Sequence, residues 1–342
     1  MKKLLLSILA LTLSTGLWAQ GSVITYTATE KLSDIIVSPG YFGFVEIVSH
    51  DYDQETHTGT ITFQDVVTTI GVGTFQNCST LTSITIPASV ATIGERAFNH
   101  CTNLTSITIP SMVTKIGYRA FYQCSSLEAA TIKAGDIGEE AFNYCTNLSS
   151  IDLQEGVTSI GELAFKNCAG ITSLTTPSTM INIGAYAFQG WKNLTSVTIK
   201  TGDIGEGAFY DCTNLKSITL GNTVTSIGNA AFSGCSVNSV TFLGSLILND
   251  GSLGGIGTSE SPADLKIPST WLANDKPINS TTPWHGGYFN CTYEKTISEL
   301  LGELAEPCDD CPAIKVKKGD KEVILYAPDK VEFIKTTSNN QD

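Results

Sequence analysis

The chain has 342 residues, a formal net charge of −13 at pH 7 and only 15% charged residues. Because nucleic-acid-binding surfaces need clustered basic side chains, this composition argues against nucleic acid as a partner. The one basic cluster, residues 315–321, also holds Asp320 and precedes Glu322, a pattern typical of a solvated hairpin.

Residues 1–19 have the pattern of a secretory signal peptide. Two lysines come first, an apolar run follows over residues 4–13, and the segment ends at Ala19. Segments of this kind direct export and are then removed. We therefore expect an exported or cell-surface mature protein starting at Gln20 or Gly21. The chain has no other apolar stretch long enough to span a membrane.

Residues 20–69 are predicted to form an N-terminal β cap. Apolar and polar residues alternate over residues 23–26 and again over 59–63, with an acidic turn at 51–55 between them. A repeat array needs such a cap, since its first coil would otherwise expose the core. A calcium site in the acidic turn is an alternative, but the turn lacks the glycine and distal glutamate of a calcium loop.

One phrase, Ile-Gly-x-x-Ala-Phe-x-x-Cys-x-x-Leu-x-Ser-Ile-x-Ile, recurs eight times over residues 70–243. A fixed period of this length predicts a solenoid, in which each coil packs only on its neighbours. The intervals between copies are 23, 23, 21, 23, 23, 21 and 23 residues, so every third coil is two residues shorter and the superrepeat is 67 residues. Coils 1 to 8 begin at Ile70, Ile93, Ile116, Ile137, Ile160, Ile183, Ile204 and Ile227.

The strand of one coil is visible in residues 93–115. The L-x-x-L-x-L spacing of a short strand with alternate inward side chains is formed by Leu104, Ile107 and Ile109. Pro110 cannot donate to a ladder and should end the strand, as Pro87 and Pro177 should in their coils. Stacked coils would then build a parallel β-sheet on one face.

The bend of the coil follows the Ile-Gly pair. Gly117 would allow a tight or positive-φ backbone where the chain turns. Ala120, Phe121 and Cys124 have a spacing that suits one short helical turn, with Phe121 as the main core side chain.

This repeat closely resembles that of the BspA-like leucine-rich-repeat proteins, whose signature is I-G-x-x-A-F-x-x-C-x-x-L-x-x-I-x-I-P. The resemblance covers all eight coils. It implies a repeat solenoid of right-handed leucine-rich-repeat coils on an exported bacterial protein. For the family as a whole, it implies surface adhesion or protein binding rather than catalysis.

Seven of the ten cysteines occupy one repeat position, which Trp191 takes in coil 6. A position that accepts tryptophan for cysteine is filled for its apolar volume, so we expect reduced and inert thiols. Equivalent sites on stacked coils do not converge four ligands on one point, so we expect no metal. The seven are Cys78, Cys101, Cys124, Cys145, Cys168, Cys212 and Cys235.

Residues 244–293 are predicted to form a C-terminal cap, with a last strand over 265–268. Four aromatic residues nearby would pack on this cap or, alternatively, offer a sugar platform: Trp271, Trp284, Tyr288 and Phe289. Residues 294–342 should form a small α+β tail, with a helix over 297–304 and strands over 313–317, 322–326 and 330–334.

Cys308 and Cys311 bracket two aspartates in this tail. A local disulfide between them is our first interpretation for an exported chain. Two free thiols, pairing of either one with Cys291, and a zinc site with His285 stay open.

The repeats offer no catalytic constellation. His100 lies beside Cys101, but other coils have Asn, Gln, Tyr, Asp or Gly at the histidine position. Asp136 and Asp203 are three coils apart, about 15 Å at solenoid spacing, which is too far for paired-acid chemistry. We therefore expect no enzyme and no cofactor.

The outward strand positions form one column of mostly serine and one of mostly threonine. Threonine is a good strand former, so the columns have a purely structural explanation. Alternatively, the face binds an extended ligand, with Glu128, Asp152 and Lys216 as specific exceptions to the pattern. The candidate binding residues are Glu128, Thr131, Asp152, Thr175, Thr198 and Lys216.

These patterns predict a non-catalytic binding module for a host or neighbouring-cell protein or glycan. A structural surface spacer is the first alternative, and an unrecognised enzyme is the second.

Overall fold

The computed structural model describes residues 21–32 and 39–243, together with five short segments nearer the C-terminus, 247–248, 263–267, 289–293, 313–318 and 321–326. The predicted signal peptide, the tail helix over 297–304, the strand over 330–334 and the pair Cys308 and Cys311 lie outside the described residues.

The N-terminal region forms an antiparallel sheet that covers the first coil. Its strands are β1 (Val23–Ala28), β2 (Ile47–Asp53) and β3 (Thr58–Phe63), with a 3₁₀ turn at Pro39–Phe42. The sheet order is β2-β3-β1-β5, where β5 (Leu81–Ile84) already belongs to coil 1. Alternate side chains are buried in β1 and β3, as the alternating sequence predicted. The predicted β-rich N-terminal cap is confirmed.

The repeats stack as a solenoid with a parallel sheet. The strands at the Ser-Ile-x-Ile position are β7 (Ser106–Ile109), β9 (Ala129–Ile137), β10 (Ser150–Ile160), β11 (Ser173–Thr175), β13 (Ser196–Ile204), β14 (Ser217–Ile227) and β15 (Ser239–Phe242). Shorter strands precede the glycine of the Ile-Gly pairs: β4 (Thr69–Ile70), β6 (Thr92–Ile93), β8 (Lys115–Ile116) and β12 (Asn182–Ile183). A further short strand, β16 (Ile247–Leu248), pairs with β14. The parallel sheet was predicted; these short strands were not.

The 21-residue coils have a structural signature. In coils 3 and 6 the two strand positions merge into one nine-residue strand, β9 or β13. The following 23-residue coil stays paired along its whole strand, and its two additional residues are taken up as register shifts in β10, between Leu153 and Gly156 and between Val157 and Ser159. The shortening therefore straightens the chain without interrupting the sheet.

An aspartate ties each shortened coil to the next one. The Asp136 carboxylate accepts hydrogen bonds from the hydroxyls of Thr158 at 2.5 Å and Ser159 at 2.7 Å. One superrepeat later, Asp203 accepts the same two bonds, from Thr225 and Ser226. These hydrogen bonds lower the pKa of the Asp203 carboxyl. Both aspartates are therefore inter-coil clamps.

The ladder continues towards the C-terminus. Strands β17 (Ala263–Ile267), β18 (Phe289–Tyr293) and β19 (Ala313–Lys318) follow β15 in parallel, and β20 (Lys321–Tyr326) pairs antiparallel with β19. The predicted last strand of the repeat pattern and the predicted hairpin are thus present.

The predicted helical turn at Ala120, Phe121 and Cys124 is wrong. The segment consists of turns, because Arg119 and Gln123 have φ angles of 52° and 57°. A right-handed helix needs consecutive negative φ angles, so two left-handed residues four positions apart prevent it. Every coil repeats both left-handed positions. The variable position of His100 is one of them, which explains why asparagine, aspartate or glycine occupies it in five of the eight coils.

The glycines of the Ile-Gly pairs are needed for close packing between coils and not for the positive φ angle that the sequence suggested. Gly117 does not have a positive φ. Instead, a Cβ atom on Gly117 would lie 2.5 Å from the backbone nitrogen of Glu95 in the preceding coil. The same clash, at 2.5 to 2.7 Å, would occur at Gly94, Gly138, Gly161, Gly184, Gly205 and Gly228. These glycines let successive coils approach closely.

A column of phenylalanines fills the core. Their rings stack on one another and all are fully buried: Phe75, Phe98, Phe121, Phe142, Phe165, Phe188, Phe209 and Phe232. The centroids of Phe121 and Phe142 are 4.8 Å apart, whereas those of Phe165 and Phe188 are 5.8 Å apart. Trp191 packs edge-on against this wider pair.

The cysteine position also has a polar role that its sequence pattern did not reveal. The Cys124 thiol donates to the carbonyl of Phe98 in the preceding coil at 3.2 Å, and the other ladder cysteines from Cys101 onward do the same. Trp191 donates its Nε1–H to the equivalent Phe165 carbonyl at 2.7 Å. Tryptophan therefore replaces cysteine because both bury apolar volume and donate a hydrogen bond.

We expect the interior ladder thiols to resist alkylation in the native protein. Burial raises the pKa of the thiols of Cys101, Cys124, Cys145 and Cys212, and it raises that of Cys78 to about 12, so little reactive thiolate exists near pH 8. Iodoacetamide labelling followed by mass spectrometry should modify them only after denaturation. Rapid labelling of Cys124 in the native protein would contradict this. Without reductant, the same spectra test the Cys308–Cys311 disulfide.

Candidate functional site

The candidate residues lie along the outward face of the sheet, but they do not form one cluster. Asp152 lies opposite Thr131 in the ladder, and Thr175 lies opposite Thr198. Glu128 and Lys216 are both exposed at equivalent positions four coils apart, about 19 Å at sheet spacing. They flank the middle coils rather than meeting.

The sheet is interrupted between coils 4 and 5. Strand β10 pairs with β9 and β12, whereas β11 pairs with β13, and no register joins β10 to β11 within this fully described part of the chain. Beyond the break the coils meet again, where Thr179 Oγ1 donates to the Val157 carbonyl at 2.8 Å and the Ile181 amide donates to the Thr158 carbonyl at 2.7 Å. The break is therefore a local opening.

An open cleft of about 640 Å³ occupies this opening. It is lined by Ile151, Asp152, Leu153, Gln154, Glu155, Ser173, Thr175, Thr176, Pro177 and Lys200. Two of the candidate residues, Asp152 and Thr175, thus lie on the same cleft. Thr131, Thr198, Glu128 and Lys216 are not part of its lining.

The floor of the cleft is aliphatic. Ile151 belongs to an inward column whose other members are all buried: Ile84, Ile107, Ala130, Leu174, Val197, Ile218 and Val240. Ile151 is packed against the core but only partly buried. The break between the strands thus exposes a side chain that the repeat pattern places in the core.

The two carboxylates at the rim of the cleft, Glu155 and Asp152, have different kinds of partner. Glu155 Oε2 accepts hydrogen bonds from the amide and the hydroxyl of Ser178, and Oε1 accepts one from Lys200 Nζ at 3.2 Å. The bonds from Ser178, and then Lys200, lower the pKa of the Glu155 carboxyl. Asp152 instead accepts a bond from the neutral Gln154 amide at 2.9 Å. No Lys or Arg in the described part of the chain forms an ion pair with Asp152.

Thr176 is a residue at the cleft that was not singled out from the sequence. It is fully buried, yet its column is otherwise apolar, with Ile86, Ile109, Ile132, Leu153, Ile199, Leu220 and Phe242. Its amide donates to the Thr198 carbonyl, and its hydroxyl accepts a bond from the Lys200 amide. Both bonds join coil 5 to coil 6, and Thr176 and Lys200 also belong to the lining of the cleft. A polar residue in the inward column could have indicated irregular coil packing.

A second cluster lies at the turns of coils 2 to 4, and its groups largely satisfy one another. The Arg119 guanidinium lies over the rings of Tyr118 and Tyr122 and bonds both carboxylate oxygens of Glu140, at 2.9 and 3.0 Å. Although burial opposes ionisation, the bonds from Arg119 and Asn143 lower the pKa of the Glu140 carboxyl. This cluster holds adjacent turns together.

Neither a metal centre nor a spanning helix is found in the part of the molecule that the structure describes. There, His, Cys, Asp and Glu side chains do not gather in groups of three or more that could hold a metal ion. No helix of the described residues is long and apolar enough to cross a membrane.

The stacked coils, the phenylalanine column and the parallel sheet define a leucine-rich-repeat protein. More specifically, the model of the BspA type leucine rich repeat region matches six copies over residues 45–135 and 135–250. The chain therefore belongs to the BspA-type leucine-rich-repeat family, as its sequence predicted.

Solved structures of several bacterial proteins are similar to the chain. A leucine-rich-repeat protein of T. pallidum is 26% identical over 49% of this chain and 70% of its own, with a TM-score of 0.37. A leucine-rich cell surface protein of Faecalibacterium prausnitzii is 23% identical over 75% and 88%, with a TM-score of 0.29. A leucine-rich-repeat protein of Bacteroides ovatus is 20% identical over 75% and 89%, with a TM-score of 0.31. No curated protein matches the chain.

Proposed function

We propose that the protein is an exported, non-catalytic binding module that acts at the cell surface and recognises a host or neighbouring-cell protein or glycan. Membership of a repeat-protein family supports a binding role, since stacked coils offer a wide preformed surface. The pattern of residues 1–19 supports export. A rigid surface binds a macromolecule without the ordering cost of a flexible loop.

The cleft between coils 4 and 5 is the observation that carries this proposal. A spacer needs only a uniform Ser/Thr face, and most of this face is uniform. At the cleft, however, the ladder opens, the aliphatic side chain of Ile151 is partly exposed, and Asp152 is left without a cationic partner in the described chain. Ligand sites combine apolar surface with polar groups that fix the orientation of the ligand, and this cleft offers both.

The experiment that tests this proposal makes the strand face regular by replacing its exceptional side chains with the serine or threonine that the pattern favours. We expect the combined change Glu128→Ser, Asp152→Thr and Lys216→Thr to weaken binding of an identified partner by about tenfold or more, because these side chains supply the specific contacts. The melting temperature should hardly change, since all three residues are exposed. The partner would come from a pull-down against matrix and cell-surface proteins and from a glycan array.

A matched control alters the same charges away from the strand face. The combined change Glu139→Ser, Glu162→Thr and Lys192→Thr also removes two carboxylates and one amine from exposed positions. Binding should survive in this variant. If the regularised variant binds as well as the original protein, the strand face is not the site. If both variants lose binding alike, overall charge rather than the strand face is responsible.

A further inference from the structure

The cleft between coils 4 and 5 has an aliphatic floor and ample room for an aliphatic side chain. Its volume of about 640 Å³ lies within the range of pockets that take specific ligand groups. Ile151, Leu153 and Pro177 supply apolar surface, and none of the described residues that line the cleft is aromatic. Sugars bind most often against aromatic faces, so this lining favours an aliphatic group over a saccharide.

The rim of the cleft adds a preference for a neighbouring positive charge. Lys200 is neutralised by Glu155 at 3.2 Å, so this pair carries no net charge. Asp152 contacts a neutral amide within the cleft, so its carboxylate remains available to a ligand cation. The chain as a whole is acidic, which attracts basic segments over longer distances.

The strands on both sides of the cleft suit an extended polypeptide. Strands β10 and β11 run in the same direction on its two sides, and the outward residues Ser173 and Thr175 of β11 offer hydroxyls along the opening. An extended peptide points successive side chains to opposite sides and bonds through its main chain. One side chain can therefore enter the cleft while its neighbour stays at the rim.

From this geometry we propose that the cleft anchors an extended peptide segment of a protein ligand, with a large aliphatic side chain on Ile151 and an adjacent lysine or arginine on Asp152. This inference rests on the proposed binding function and names the class of ligand at its site. The proposed ligand of the cleft is a polypeptide, so binding of a glycan there would contradict the proposal.

An array of synthetic peptides tests the proposal directly. Each peptide would hold a central pair inside a Gly/Ser frame: Leu-Lys, Leu-Glu, Gly-Lys or Gly-Gly. The mature protein should bind Leu-Lys peptides about tenfold or more above Gly-Gly peptides. The variant Asp152→Asn should retain the preference for leucine and lose the preference for lysine over glutamate.

Two tryptophan variants separate the cleft from the rest of the face. Thr175 and Thr198 are register partners in the same outward column, but only Thr175 lines the cleft. Thr175→Trp should fill the opening and lower binding of Leu-Lys peptides by about tenfold or more, whereas Thr198→Trp should leave it within about twofold. Melting curves of both variants show whether each one is folded.

Several results would overturn the inference. These are a lack of Leu-Lys enrichment with the mature protein, equal losses in the two tryptophan variants, or a saccharide from a glycan array whose binding depends on Thr175. If the regularised strand face loses an identified partner but the peptides show no enrichment, the cleft proposal fails and the proposed function stands. If no partner depends on the strand face either, both fail.

Discussion

Replacing Phe142 with alanine is expected to lower the free energy of unfolding by about 3 to 5 kcal/mol, the range measured for large-to-small changes in well-packed cores. The Phe142 ring is fully buried and stacks on Phe121 at 4.8 Å and on Phe165 at 5.0 Å. Neighbouring coils cannot collapse into the cavity, because their own spacing is fixed by the backbone ladder. Urea unfolding monitored by circular dichroism measures the loss.

Because the cavity left by Phe142→Ala lies in the middle of the array, it should also change the shape of the unfolding transition. In a repeat array each coil is stabilised by its two neighbours, so a weak central interface uncouples the two halves. We expect the unfolding of Phe142→Ala to broaden or separate into two steps. Phe44→Ala is the matched control, since the Phe44 ring is 85% exposed, and it should alter stability by less than about 0.5 kcal/mol. Equal effects of the two changes would mean that the inward face is misplaced.

Replacing Gly161 with alanine is expected to cost about 3 kcal/mol, the upper part of the usual range for overpacking. A Cβ atom there would lie 2.6 Å from the Glu139 nitrogen and 2.7 Å from the Gly138 carbonyl carbon. Both atoms belong to the backbone of the preceding coil, so no side chain can move aside. Relief requires a shift of one whole coil against the next.

Gly40→Ala is the matched control for this change. A Cβ atom on Gly40 would lie 4.0 Å from the nearest atom of Phe44, and Gly40 does not have a positive φ. Alanine should therefore be neutral there, or stabilising by about 0.4 to 1 kcal/mol because it restricts the unfolded chain. Thermal melts of both variants compare the two glycines. Similar stability of Gly161→Ala and the original protein would show that the coils can separate at little cost.

The regular part of the fold could be predicted because each coil repeats the same spacing of apolar residues and glycine. The Ile-Gly intervals determined the number of coils, and the inward positions of Leu104, Ile107 and Ile109 were found buried as expected. Pro110 ends its strand after Ile109, also as expected. In these cases one physical factor, burial or a missing N–H group, decides the local structure.

The bends could not be predicted from the spacing of apolar residues alone. Ala120, Phe121 and Cys124 all point into the core, which is also what a helical turn would produce. The deciding feature is the left-handed backbone of Arg119 and Gln123, and neither residue type strongly signals that conformation.

The candidate site was predicted in part. Asp152 departs from a threonine column, so its outward position was visible in the sequence, and it does line the cleft. The opening itself depends on how coil 5 is held between its neighbours. That in turn involves hydrogen bonds of Thr176 to residues more than twenty positions later, which local patterns do not reveal.

The aspartate clamps limit how an array of this kind can lengthen by duplication. Asp136 needs a Thr-Ser pair 22 and 23 residues further along, and the same requirement returns at Asp203, 67 residues later. Copying coil 3, 4, 6 or 7 alone would leave one clamp without its acceptor or its donors. Copying three consecutive coils would preserve every clamp and every register shift. The natural unit of growth, and of any engineered extension, is therefore the triplet of coils rather than the single repeat.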